Sequence, residues 1–320
     1  MPAAERAELE RFRQYHLART LTLAGDLAQL AADLAGRSIR FVAFKGPTLS
    51  LALYGDLAGR EYNDLDLIVP PEQVDVAEDA ILSMDYRSPQ GDRTFRRMFL
   101  SPQRQYAFVR DEAHTAIDLH WAFSGSHVPF PLAAADAWES AIPLTVGNRT
   151  VPVLSTPNLA LLLAGHGTKE GWTMLKWVSD FARLVDRHPD LDWEELYRRA
   201  RDRRCGEAVL LACSVAQTLL EVPIPEALGD FVAGSDRVRR RTAAVAASLR
   251  DPAYAPRGID HFTDLLLCDR WIDRTAARLK LTFTPTAGDH AALQLPPALW
   301  GAYYVTRPCR LAFRAVLGRA

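Results

Sequence analysis

Two acidic residues flanking one leucine, Asp64 and Asp66, open the run Asn63-Asp64-Leu65-Asp66-Leu67-Ile68-Val69. In a strand successive side chains alternate faces, so both carboxylates share one face while Leu65 and Leu67 take the other. Neighbouring carboxylates repel unless a proton or cation lies between them, and paired oxygen donors at a strand mouth suit a hard divalent ion. Asp118, in Ile117-Asp118-Leu119-His120, repeats the pattern of an acid amid apolar neighbours. Supplied from an adjacent strand, it completes a two-metal cage. In such a cage one ion lowers the pKa of an attacking hydroxyl, and the other neutralises a triphosphate and steadies the departing pyrophosphate. The plain alternative is that Asp64 caps a strand and Asp118 faces solvent, because a lone D-x-D is a weak motif. His120 shares the face of Asp118 and reads as a hydrogen-bond partner of a ligand rather than as a ligand.

Lys45 and Gly46 close the strand that precedes the acidic pair. Glycine there lets backbone N–H groups approach phosphate oxygens, the next helix contributes its N-terminal dipole, and Lys45 adds a point charge. Arg60 either grips a phosphate with its planar fork or pairs with Asp64 or Glu61. Further along, His166, Lys169, Trp172 and Lys176 recur at three- and four-residue spacing and line one face if that segment is a single helix. Lys169 and Lys176 are then candidates for phosphate, Trp172 or Trp177 for a base, and Asp180 for orienting a lysine. A break at Gly171 would spoil that alignment, and the competing reading is an amphipathic helix with its tryptophans in the core.

These residues need elements to hold them. Apolar spacing from Ala4 to Leu34 predicts one long helix or two, and Ile39 to Phe44 reads as a buried strand. A helix follows from Thr48 to Tyr54, then a strand from Leu65 to Val69 stopped by Pro70 and Pro71, then helix through Met84. Gln105 to Arg110 with Thr115 to Trp121, and Ile142 to Val146 with Thr150 to Leu154, read as two hairpins. Beyond Pro157 the texture is helical: Leu159 to Gly165, Trp172 to Arg187, Trp193 to Arg203, Ala208 to Leu220 and Asp236 to Leu249. From Pro252 onward helix mixes with Pro- and Gly-marked turns and ends in a helix through Leu317. The fold class is α+β, with a boundary placed near residues 150 to 157: an N-terminal unit of residues 1–155 and a mainly helical one of residues 156–320.

The chain has 320 residues, 48% hydrophobic and 24% charged, with a formal net charge of -1, an ordinary globular composition with no long-range field to gather a polyanion. Nucleic acid is therefore not expected as a partner, and the basic runs Arg198 to Arg204 and Arg237 to Arg241 read as solvated helix faces. Cys205, Cys213, Cys268 and Cys309 show no C-x-x-C spacing, which fits a reducing compartment. No signal-like stretch opens the chain, and the longest apolar run, Leu159 to Gly165, is far below the ~20 residues that cross a bilayer. The expectation is a cytoplasmic protein without a membrane anchor.

Taken together, Phe44-Lys45-Gly46-Pro47 with Leu49, then Tyr54, Arg60, Asp64-Leu65-Asp66-Leu67-Ile68-Val69 and Ile117-Asp118-Leu119-His120-Trp121, resemble the uncharacterised bacterial nucleotidyltransferase family of the DNA polymerase beta superfamily. The resemblance continues through His166-Gly167, Lys169, Trp172, Leu175-Lys176-Trp177 and Asp180 to Tyr303, Arg307-Pro308 and Leu311. It implies a small mixed sheet flanked by helices with an added helical domain. It also implies Asp64, Asp66 and Asp118 as magnesium ligands, two ions or manganese in their place, and an NTP, by default ATP, as donor. Pro47 stands where many superfamily members carry serine, which leaves Lys45, Thr48 or Arg60 to serve the phosphates.

The leading expectation is thus transfer of a nucleoside monophosphate from an NTP to a hydroxyl or phosphate on a small molecule or peptide, with release of pyrophosphate. The alternative is a catalytically silent nucleotide-binding partner of a biosynthetic or toxin-antitoxin operon. RNA tailing is a third reading that the near-neutral charge disfavours. The acceptor, the donor base and the oligomeric state are not written in the sequence.

Overall fold

The computed structural model describes residues 2–251 and 266–316. Helix α1 (Ala3–Gly36) leads into strand β1 (Val42–Ala43), α2 (Pro47–Tyr54), β2 (Asp64–Ile68), α3 (Val74–Leu82) and α4 (Arg93–Phe99). A hairpin of β3 (Gln105–Arg110) and β4 (Thr115–His120), helix α5 (Ala134–Glu139) and a second hairpin of β5 (Ile142–Val146) and β6 (Arg149–Val153) follow. The remainder is helical: α6 (Thr156–Lys169), α7 (Leu175–Arg187), α8 (Trp193–Asp202), α9 (Gly206–Leu220), α10 (Gly229–Gly234), α11 (Asp236–Arg250), α12 (Trp271–Phe283), α13 (Ala287–Ala292) and α14 (Tyr303–Val316). Part of the turn-rich stretch expected from Pro252, and the expected helix end at Leu317, lie outside the described residues.

The six strands form one mixed sheet in the order β3-β4-β2-β1-β6-β5. β2 runs parallel to β4 and β1 parallel to β6, while β1 and β2 and both hairpins are antiparallel. The alternation along β2 divides the interior. Leu65 and Leu67 join Ile117 and Leu119 in a core closed by Leu23, Leu27, Leu30 and Leu34 of α1 and by Ala77 and Ile81 of α3. Val42, Phe44 and Ile68 look the other way and pack into the core of α6, α7 and α9. Helix α9 is buried from Ala208 to Ala216 and touches α6, α7, α8 and α11, as a helix apolar on nearly every side over that stretch must.

Several details depart from the sequence reading for local reasons. The long first helix is unbroken. The strand expected over Ile39 to Phe44 pairs only at Val42 and Ala43, and Phe44 N–H still donates to the Asp66 carbonyl at 3.2 Å. Two short helices, α4 and α5, were not legible from periodicity; α4 is started by Asp92, whose carboxylate accepts from Phe95 N–H at 2.8 Å. Helix α6 stops at Lys169, and Gly171 and Trp172 turn the chain at φ 65° and 54°, so α7 begins only at Leu175.

The two basic runs are mostly solvent-exposed, as expected, and several of their arginines are also paired within the chain. Arg198 bonds Glu195 and Asp202, Arg199 bonds Asn158, Arg204 bonds Asp273, and Arg237 and Arg241 share Glu207. No helix among the described residues is long and apolar enough to cross a membrane.

Leu67 is fully buried on the sheet face opposite the acidic residues. Leu67→Ala should therefore lower stability by about 2 to 5 kcal/mol in denaturant unfolding, as other large core truncations do. A loss under 1 kcal/mol would mean that this face is not packed as described.

Candidate active site

Parallel pairing of β2 with β4 sets Asp66 directly beside Asp118, and Asp64 lies one pleat back on the same face. On the other side of β2 the chain leaves β1 through Lys45 and turns at Gly46, whose φ of 59° is the left-handed conformation that glycine tolerates. A Cβ on Gly46 would stand 2.6 Å from the Asp64 carbonyl oxygen, so the turn lies flush against the acidic strand. Glycine here serves that close approach to the strand first. The Thr48 hydroxyl donates to the Lys45 carbonyl at 2.8 Å and helps to fix the turn, while its own side chain is buried.

This packing delivers the Lys45 ammonium to the acidic face, where Nζ donates to Asp66 Oδ1 at 3.1 Å. His120 Nε2 lies 3.1 Å from the same oxygen. The other oxygen, Asp66 Oδ2, is buried without a hydrogen-bond partner. Donor atoms of Asp66, Asp118 and His120 all lie within 4.8 Å of one another. Asp64 stands outside that tight group, although it lines the same cavity.

Charge and burial oppose each other strongly here. Burial, then repulsion from Asp66, pushes the carboxyls of Asp64 and Asp118 up to about 6, with Lys45 working against the rise. Burial also opposes ionisation of Asp66, but Lys45 and the His120 hydrogen bond hold it well below the usual carboxylate range. His120 and His166 are lowered chiefly by burial, so both imidazoles are neutral near pH 7. Burial works against the charge of Lys45, yet the surrounding carboxylates leave its pKa above the ordinary lysine value.

The cavity has a volume of ≈ 230 Å³. Its walls bring together Lys45, Gly46, Arg60, Asp64, Asp66, Asp118, Lys169 and Lys176, all of which the sequence reading had singled out. The sheet supplies the carboxylates; the end of α6 supplies His166 and Lys169, and the start of α7 supplies Lys176 and Trp177. The His166 and Trp177 rings meet edge to face, 5.4 Å between centroids.

Trp172 follows the competing expectation of a core tryptophan, whereas Arg60 and Asp180 differ from what the sequence suggests. Trp172 is fully buried, packs edge-on to Phe181 and occupies space that exists because Gly167 has no side chain; a Cβ there would lie 2.5 Å from the indole. Arg60 pairs with neither Asp64 nor Glu61 but with Asp180, and Asp180 orients that arginine rather than a lysine. Gln105, Tyr62 and Glu170 also line the cavity and went unremarked in the sequence. Gln105 carried a usable signal: in the β3–β4 hairpin it pairs with His120.

Two outcomes follow. Gly46→Ala should cut any activity at this site by at least about 10-fold, because the turn must move away from β2 to relieve the contact. Wild-type kinetics in that variant would show that the turn is not tied to the strand. The second concerns pH. Asp64 and Asp118 have folded pKa values near 6 against an ordinary 3.8, so the folded chain holds extra protons between these values and loses stability as pH rises through that window. Magnesium or manganese should therefore raise the thermal midpoint more at pH 7.5 than at pH 5. Equal shifts at both pH values, or none, would contradict the assignment.

Residues 1–221 match the family model described as uncharacterised nucleotidyltransferase. No sequence among the curated proteins matches the chain. Among solved structures it is similar to the antibiotic-resistance factor ANT(2'')-Ia, at 14% identity over 57% of this chain and 92% of that one, with a TM-score of 0.41. It is also similar to an antigenic nucleotidyltransferase-like protein from Paracoccidioides brasiliensis, at 14% identity over 56% and 86% of the two chains, with a TM-score of 0.35. Because the family model spans more than half of the sequence and contains every candidate site residue, the chain belongs to the uncharacterised nucleotidyltransferase family.

Proposed function

We propose that the chain is a divalent-metal-dependent nucleotidyltransferase that moves a nucleoside monophosphate, AMP in the first instance, from an NTP to a hydroxyl or phosphate acceptor. The observation that carries this reading is the in-register pair Asp66 and Asp118, with Asp64 behind them, facing the Lys45-Gly46 turn across one cavity.

The donor set suits a hard cation. Asp66 Oδ2 is buried and unpartnered, and Asp64 and Asp118 are raised by burial and by a neighbouring carboxylate, which are the conditions a divalent ion relieves. Asp64, Asp66 and Asp118 would hold magnesium, or manganese in its place, and His120 would fix Asp66 through its hydrogen bond. When bound, the metal supplies charge neutralisation at the phosphates and a lowered pKa for the acceptor oxygen.

The chain's own groups do the rest. Lys45, Arg60, Lys169 and Lys176 hold the triphosphate by charge, and Gly46 keeps the turn thin enough to stand beside it. The acceptor oxygen attacks the α-phosphorus, its proton passes to Asp118, and the bond to the bridging oxygen of pyrophosphate breaks in line. The formal net charge of -1, which gives no long-range field for a polyanion, favours a small-molecule or peptide acceptor over a nucleic acid.

Incubated with magnesium, labelled ATP and a metabolite extract, the protein should release pyrophosphate. The double substitution Asp64→Ala with Asp66→Ala should reduce that release by at least about 100-fold, the scale on which preorganised charge stabilisation is lost. Release that survives the double substitution would refute this site.

A further inference from the structure

Beside the cavity lies a buried polar assembly of which the chemistry above uses only Arg60. Asp180, on α7, has a side-chain exposure of 2%, and its partner Arg60, in the loop before β2, has 8%. Arg60 Nε lies 3.1 Å from both carboxylate oxygens, and Nη2 lies 2.9 Å from Oδ2. The Tyr54 hydroxyl, at the end of α2, donates to Oδ1 at 2.9 Å. Three separate segments therefore meet on one carboxylate.

The way Arg60 is held is informative. A guanidinium has two forks: a side edge made by Nε and Nη2, and an end edge made by Nη1 and Nη2. Asp180 takes the side edge. Nη1 has no partner among the described residues and is not a buried orphan, and Arg60 lines the cavity that holds Asp64 and Asp66. Arg60 borders the cavity, and an end edge whose plane is fixed from the side by Asp180 is the arrangement that a bidentate phosphate there needs. Asp180 also stands one helical turn beyond Lys176 on α7, so the same contact ties the helix that delivers Lys176 to the loop that delivers Arg60.

We propose that Asp180, assisted by Tyr54, is a positioning residue that locks Arg60 by its side edge so that its end edge receives the terminal phosphates of the nucleotide. This rests on the nucleotidyltransferase reading of the cavity and adds to it the group that sets phosphate geometry. Asp180 acts only through Arg60 and never touches the nucleotide.

Calorimetric titration with inorganic tripolyphosphate and with ATP, each in magnesium, tests it on the full chain. Asp180→Asn should weaken both ligands about 10-fold, and Arg60→Lys, which keeps the charge but loses the fork, should do the same. Because the two act as one unit, the double variant should bind no more weakly than Arg60→Lys alone, whereas independent structural damage would add. Tyr54→Phe removes a single hydroxyl and should weaken tripolyphosphate about 2- to 3-fold; it carries the test if Asp180→Asn fails to fold. Adenosine, which has no phosphate, should bind all variants alike. Additive losses, equal losses for adenosine, or tripolyphosphate binding indifferent to Asp180→Asn or Tyr54→Phe would overturn the positioning role while leaving the cavity's assignment intact. Absence of any tripolyphosphate or ATP binding by the wild-type chain would overturn both.

Discussion

Asp64, Asp66 and Asp118 sit on one face of a sheet, largely removed from water, and burial together with the charge of Asp66 raises the cost of ionising Asp64 and Asp118. Such a cluster can be charged only against positive charge, and the surrounding chain is arranged to bring it. Lys45 reaches Asp66 because β1 ends where it does, because Gly46 lets the turn lie against Asp64, and because Thr48 pins the Lys45 carbonyl. One ammonium among three carboxylates leaves Asp66 ionised, while burial and repulsion from Asp66 push its two neighbours up to about 6. That imbalance is what the proposed divalent ion would relieve.

The fold supplies the two walls of that cavity from different layers. Strand alternation places Leu65 and Leu67 in the core beneath α1 and α3 and their acidic neighbours on the opposite face, so the same five-residue strand anchors the sheet and displays the chemistry. The facing wall comes from the junction of α6 and α7. The chain turns back there, with Trp172 driven into the core against Phe181, and this leaves His166 and Lys169 on one helix end and Lys176 and Trp177 on the next to border the cavity. Arg60, Asp180 and Tyr54 then join the walls below the surface.

Much of this was legible in the residues. Period-two alternation exposed both hairpins and the acidic strand, and the shared texture around Asp66 and Asp118 anticipated that their strands are neighbours. What the sequence could not convey was the outcome of competitions between packing and local spacing. His166, Lys169, Trp172 and Lys176 have helical spacing, but the left-handed turn at Gly171 and Trp172 removes the tryptophan from their company. Arg60 had nearer acids in Asp64 and Glu61, yet its partner is 120 residues away, because only the folded chain sets α7 beside the loop. The short helices α4 and α5 carry caps at Asp92 and Asp136 but too few turns for a periodic signal. The acceptor is hidden for a related reason, since its contacts depend on the shape of walls assembled from distant segments.

Whether these carboxylates gather a cation decides the function of the cavity. Anomalous diffraction from crystals soaked in manganese measures this directly. The structure predicts a single dominant peak, or two adjacent ones, within coordination distance of Asp66 and Asp118, with the Lys45 ammonium withdrawn from Asp66 Oδ1. Crystals in which manganese binds elsewhere, while Lys45 keeps its place on Asp66, would contradict it.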